Sequence, residues 1–219
     1  MGQAMEKLRR LLRHLWLDAD DARRALGEAA LDRLEARVRA SETGHSGQIC
    51  LCVEASLPSS YLWRHLARGE ALASVIRDRA ITLFGKQRVW DTEDNNGVLV
   101  YLLLAEHRIE VVADRALARR LEPAAWQDLV TQLATPCRDA RFEDALGGAV
   151  ERLDPLLRAE FPRHGGADRT GEDGLSDRPV LRGSCRGCCN ATSYARVTPP
   201  STGCTTEAPP SCAIVEAGW

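Results

Sequence analysis

A clear excess of charge of one sign is missing from this 219-residue chain: 29 Lys and Arg stand against 31 Asp and Glu. That balance excludes the basic surplus on which non-specific nucleic-acid binding depends, and no nucleic-acid partner is expected. Long apolar runs are missing too. No stretch reaches the ~18 residues that a membrane-spanning helix requires. The opening residues combine bases and leucines, but Arg13, Asp18 and Asp20 interrupt any signal-peptide core, so the expected location is the cytoplasm. Aromatics are scarce at 5%. Neither a P-loop nor a dinucleotide fingerprint occurs, and no nucleophilic triad is evident. Cys137, between Pro136 and Arg138, lacks the glycine-rich loop of a cysteine phosphatase and reads as structural.

What the chain has in quantity is Ala, Arg, Leu and Glu, a helix-favouring mixture. Residues 6–17 form a basic amphipathic helix, with Leu8, Leu11, Leu12, Leu15 and Trp16 on one stripe and Lys7, Arg9, Arg10 and Arg13 around it. Such a helix either docks on its own domain or rests peripherally on an anionic membrane surface, here the inner membrane face. Apolar spacing predicts a second helix over 25–40 and a long one over 61–85 that tolerates Gly69. Further helices are expected near 114–121, 124–134 and 142–161, with Pro123 suited to a first helical position.

Strands are fewer. Residues 48–54 (QICLCVE) read as a strand in which Cys50 and Cys52 share one face as small buried hydrophobes. Residues 98–104 are continuously apolar, as a strand covered on both faces requires, and 109–113 return antiparallel after a tight turn. A strand, a crossover helix and a second strand imply a right-handed parallel unit. The expected fold class is therefore α/β: a small mixed β-sheet, a parallel strand pair plus an antiparallel hairpin strand, sandwiched between helices. The expected organisation is an N-terminal helix over 1–24, an α/β domain over 25–162, and a linker with a disordered Cys-, Pro-, Thr- and Ser-rich tail over 163–219. In that tail Cys185, Cys188 and Cys189 make only half a zinc site.

The chemistry concentrates at Asp91-Thr92-Glu93-Asp94-Asn95-Asn96-Gly97, at the mouth of the apolar strand. Desolvated carboxylates are costly unless paired, and clustered oxygens suit a hard cation. If the first two strands are parallel and the third returns, three loops converge at one edge of the sheet: 42–47, 91–97 and 114–115. Asp91, Glu93, Asp94, Asn96 and Asp114 are then candidate oxygen ligands for calcium, with magnesium as the alternative. His45 and Arg115 are accessory candidates. Asn and Gly supply the positive backbone angles such a loop needs. Glu54, at the far end of its strand, belongs to the opposite edge. The spacing does not fit an EF-hand, because the twelfth residue from Asp91 is Leu102. The competing reading is a solvated acidic turn punctuated by Asn96 and Gly97.

Arg88-Val89-Trp90-Asp91-Thr92-Glu93, Asn95-Asn96-Gly97 running on through Ala105, and Ile109-Glu110-Val111-Val112-Ala113-Asp114-Arg115 together resemble the TPM-domain family, also called TPM phosphatase-like. Glu42, His45, Gly47, Val53, Glu54 and Phe142 fit the same pattern. So does the closing phrase Ser176-Asp177-Arg178-Pro179-Val180-Leu181, as in short bacterial members without a membrane anchor. The resemblance implies an α/β sandwich and, as in some relatives, divalent-cation binding and a proposed acid phosphatase activity. Two departures stand out. Asp94 occupies a position where a histidine is expected in close relatives, and Asp114-Arg115-Ala116 replaces a glycine-rich phrase. Two functions follow as expectations: a cation-binding module that docks an unidentified protein partner, or a metal-assisted acid phosphatase acting on phosphate monoesters.

Overall fold

The computed structural model describes residues 2–163 and 175–183, within which eight helices surround a four-stranded sheet. In chain order the elements are α1 (Gly2–Trp16), α2 (Ala19–Leu26), α3 (Glu28–Glu42), β1 (Gln48–Glu54), α4 (Ser59–Arg68), α5 (Leu72–Lys86), β2 (Gly97–Leu103), β3 (Arg108–Ala113), α6 (Arg115–Arg120), α7 (Pro123–Arg138), α8 (Phe142–Glu160) and β4 (Val180–Arg182). A 3-10 turn, Leu104–Glu106, closes the β2–β3 hairpin with His107 in the left-handed region at φ 50°.

The sheet order is β3-β2-β1-β4. β1 runs parallel to β2, with Gln48 opposite Gly97 and Glu54 opposite Leu103, while β3 lies antiparallel to β2. Every residue of β1 and β2 is buried, the reason the sequence of β2 reads as an unbroken apolar run rather than as alternation. Alternate residues face two separate cores. On one side Cys50, Cys52, Leu99, Tyr101 and Leu103 pack against Val75, Ile76, Ala80, Leu83 and Phe84 of α5. On the other, Ile49, Leu51, Val98 and Val100 meet Leu34 and Val38 of α3, Leu129 and Leu133 of α7, and Ala149 and Leu153 of α8. The predicted mixed α/β sheet between helix layers is the architecture observed, and Pro123 opens α7 as expected. Cys50, Cys52 and Cys137 are free and buried. Burial pushes the thiols of Cys50 and Cys137 up to about 12, so both are held as inert thiols.

Three features differ from the sequence expectation. The helix predicted over 25–40 is α3, which starts at Glu28; Ala25 and Leu26 instead end α2, a helix the pattern did not announce, and Gly27 at φ 79° separates the two. Asp18 and Asp21 form the capping box that opens α2. The helix predicted over 61–85 is likewise split, because Gly69 takes the left-handed conformation (φ 71°) and caps α4 rather than sitting inside a continuous helix. A glycine that costs about 1 kcal/mol in a helix interior costs little as a left-handed cap. Third, part of the segment assigned to linker and tail belongs to the sheet. Val180 and Leu181 pair with Cys52 and Val53 of β1, and Ala55 N–H reaches Arg182 O at 2.9 Å. A three-residue strand carries no detectable period, so pattern reading passes over it. The tail cysteines from Cys185 onward lie outside the described residues.

Candidate functional site

The N-terminal ends of β1 and β2 share one edge because the two strands are parallel, and β3 delivers its C-terminal end to the same edge. Asp114 N–H donates to Gly97 O at 2.9 Å, and Ala116 N–H to Asn95 O at 3.1 Å, which ties the start of α6 to the 91–97 loop. Inside that loop Asn95 N–H meets Thr92 O at 3.2 Å and Asn96 N–H meets Thr92 Oγ1 at 3.0 Å, with Asn95 left-handed at φ 51°. Asn95 thus supplies the positive angle expected of this loop. Gly97 serves differently: a Cβ built on it would stand 1.9 Å from Val89 O, so the glycine is required for close backbone approach.

The 42–47 loop joins through a side-chain relay. Ser46 Oγ donates to Asp94 Oδ2 at 2.8 Å and accepts from Asn96 Nδ2 at 3.0 Å. Ser46 has a single hydroxyl hydrogen, which goes to the carboxylate, so its oxygen takes the amide N–H and the Asn96 amide is oriented by that bond. Asn96 Oδ1 is therefore turned inward, buried and without a hydrogen-bond partner. The same holds for Asp114 Oδ2. Asp114 is 2% exposed; its Oδ1 accepts the Arg115 N–H at 2.6 Å and caps α6. Burial raises the Asp114 pKa above the usual aspartate value, against the opposing pull of the Arg115 amide and charge. Two orphaned oxygens, one of them on a desolvated carboxylate, lie on adjoining segments of one rim. Buried oxygens of this kind are rare without a guest, a water or an ion.

The other predicted site residues fall as follows. Asp91, Glu93 and Asp94 are all exposed, and of the three Asp94 is the one bonded to Ser46; no hydrogen bond among the described residues joins the side chains of Asp91 and Glu93 to that relay. His45 is completely buried in the α3–β1 turn, with Nδ1 at 3.0 Å from Gly47 O and Nε2 at 2.9 Å from Ser41 Oγ. Both ring nitrogens are engaged, and burial depresses its pKa. Arg115 Nη2 donates to Asn95 Oδ1 at 3.0 Å, while its Nε stays 3.9 Å from Asp114 Oδ1. Beside Asp94 and Ser46 opens a cavity of about 230 Å³ whose far wall is Arg120, Glu160, Phe161 and Pro162. Arg120 lies over the Phe161 ring at 4.3 Å and pairs with Glu160. Sequence reasoning missed Ser46 and Thr92, the two hydroxyls that organise the rim. Their only signal was position, inside loops already expected to converge.

A family model described as the TPM domain matches residues 19–155, well over half the chain. The chain belongs to the TPM-domain family. The NMR structure of the BA42 protein from the psychrophilic bacterium Bizionia argentinensis is similar to this TPM protein at a TM-score of 0.57 and 17% identity, over 71% of this chain and 94% of that one. At that identity the likeness speaks to the fold alone. Comparison with curated proteins gives no match. Within the TPM match lie all the rim residues, Ser46, Asp94, Asn96 and Asp114, whereas α1 and β4 lie beyond it.

The donor set bears on the divalent cation that the family resemblance implies. Among the described residues no three His, Cys, Asp or Glu side chains are grouped to hold a metal. A cage of carboxylates, as first expected from Asp91, Glu93, Asp94 and Asp114 together, is therefore not what the rim offers. The two buried rim oxygens without a partner are instead one amide and one carboxylate oxygen, hard donors of the class that calcium accepts more readily than a softer metal does.

Proposed function

We propose that this TPM domain is a divalent-cation-binding module, calcium being the ion its oxygens suit, whose cation-ordered rim docks a protein partner. The observation that carries the reading is the pair of buried oxygens without donors, Asn96 Oδ1 and Asp114 Oδ2. Asn96 and Asp114 would hold the ion, with Asp94 beside them through Ser46. A bound cation supplies positive charge against a carboxylate that burial otherwise disfavours. The residues do the rest: Ser46 fixes the Asn96 amide, Asn95 seats Arg115, and the Asp114 cap holds α6 against the loop. Ordering three loops at one edge creates a defined surface without requiring any reacting group.

The metal-assisted phosphatase is the second reading and has less support. A phosphate needs cationic or N–H groups aimed at it. Here His45 has both nitrogens engaged and Arg115 is held by Asn95.

Calorimetric titration of the whole chain with calcium and with magnesium, alongside an assay on a generic phosphate monoester, tests the choice. The expected result is saturable calcium binding, weakened by Asn96→Leu, with no turnover above the blank. Absence of binding for both ions refutes the module. Ester turnover that disappears in Asp114→Asn transfers the assignment to the phosphatase.

A further inference from the structure

Helix α1 is docked with its polar side inward. Arg13 Nη1 donates to Ala105 O at 2.8 Å, Arg10 Nε lies 3.0 Å from Glu106 Oε1, and His14 is 2% exposed. Leu57 N–H donates to His14 Nδ1 at 3.1 Å, which leaves the ring proton on Nε2, 3.1 Å from Glu106 Oε1. An amphipathic helix on a globular body ordinarily buries its apolar stripe. This one does the reverse: Met5, Leu8, Leu12, Leu15 and Trp16 are between 45% and 68% exposed. Their spacing of three and four residues puts them on one outward face. Trp63 of α4 is 63% exposed, and between α1 and α4 runs an apolar groove of about 520 Å³ lined by Leu11, Leu15, Leu62, Trp63 and Leu66. Stripe, groove and Trp63 thus adjoin one another, an apolar area of the kind that marks an interaction surface.

Charge indicates what covers it. Lys7 and Arg9 are exposed on the same helix, and α1 includes one acid, Glu6, in its sequence. Two copies of this chain meeting symmetrically through the stripe would bring their basic flanks together. An anionic bilayer surface opposes those bases with phosphate charge and accepts the leucines below it, with tryptophans at the level that aromatic rings prefer. We propose that the α1 stripe, with the α1–α4 groove and Trp63, is a docking surface for an anionic lipid bilayer, lying in the interface without crossing it. Among the described residues no helix is long and apolar enough to span a membrane. The inference is independent of the cation reading, because neither α1 nor α4 contributes to the rim.

The test is co-sedimentation of the full chain with vesicles of phosphatidylcholine alone and of equimolar phosphatidylcholine and phosphatidylglycerol. The wild type should pellet with the anionic vesicles, and its tryptophan emission should move to the blue. Lys7→Gln with Arg9→Gln should weaken partitioning on the order of 30-fold, two charges' worth at a lipid surface. Leu12→Glu with Leu15→Glu should abolish pelleting while leaving the thermal melt unchanged, because both side chains already face outward. Failure to pellet with either vesicle overturns the proposal, as does equal binding to neutral and anionic vesicles. Self-association in solution that Leu12→Glu with Leu15→Glu removes, without any vesicle binding, would assign the face to a second copy instead.

Discussion

Asp114→Asn isolates the charge at the centre of the rim. Asparagine keeps the size of the side chain and its cap on α6, since its Oδ1 can still accept the Arg115 N–H that Asp114 accepts now at 2.6 Å; loss of such a cap would cost about 1 kcal/mol. The substitution removes the ionised oxygen that lies buried with no donor. Because burial raises the folded-state pKa of Asp114, its contribution to the stability of the ion-free protein is full below the ordinary value of about 4 and is lost as pH climbs through the raised one. At neutral pH the ion-free variant should therefore melt at or above the wild type. Calcium reverses the order. At a hundredfold excess over its dissociation constant a ligand adds about 2.7 kcal/mol, which at ~2–4 °C per kcal/mol for a body of this size is a rise of roughly 5–11 °C. Scanning calorimetry with calcium and with chelator reads both effects. Wild type should show the rise, growing with pH as Asp114 ionises, and Asp114→Asn should lose it. An equal calcium shift in both proteins, or none in either, would refute the reasoning.

Gly97→Ala should cost several kcal/mol in urea unfolding, since the new Cβ would meet Val89 O at 1.9 Å; an unchanged midpoint would show that the backbone there yields. At the opposite edge Glu54 takes Arg79 Nε and Nη2 at 2.9 and 2.5 Å and the Tyr101 hydroxyl at 2.7 Å. Glu54→Ala should destabilise by about 3–5 kcal/mol by stranding a buried guanidinium, and Tyr101→Phe by about 1.5–3 kcal/mol, both read from chemical denaturation. His45, its pKa depressed by burial, contributes stability that is full above about pH 6.5 and is lost as pH falls below it. A His45→Gln variant should accordingly lose less stability than wild type between about pH 7 and pH 5, with parallel melting curves as the contrary result.

The parallel pair and its hairpin partner were legible because residues 98–104 carry an uninterrupted apolar run that only a doubly covered strand explains. Convergence of the three loops then follows from topology. The roles of the side chains within those loops do not follow. Asp91, Glu93 and Asp94 look alike by spacing and all three are exposed, yet Asp94 alone of them receives the Ser46 hydroxyl. The loop's left-handed residues are Arg88 and Asn95, and composition alone does not say which residue of a loop adopts that conformation. Gly27 and Gly69 were misjudged for a related reason, because apolar periodicity on both sides continues unbroken across a glycine that in fact terminates a helix. The inverted mounting of α1 was likewise hidden. Its stripe is plain in the sequence, but which side meets the body depends on Ala105, Glu106 and Leu57, far along the chain.

Strand β4 bears on where this protein can be cut. It flanks β1 from beyond residue 175, whereas the family match stops at residue 155, inside α8. A fragment trimmed to the matched span would sever a helix that supplies core side chains and would strip the outer partner from β1, leaving that strand's amides free to recruit another molecule. The span matched by the family thus stops short of the residues that complete α8 and the sheet.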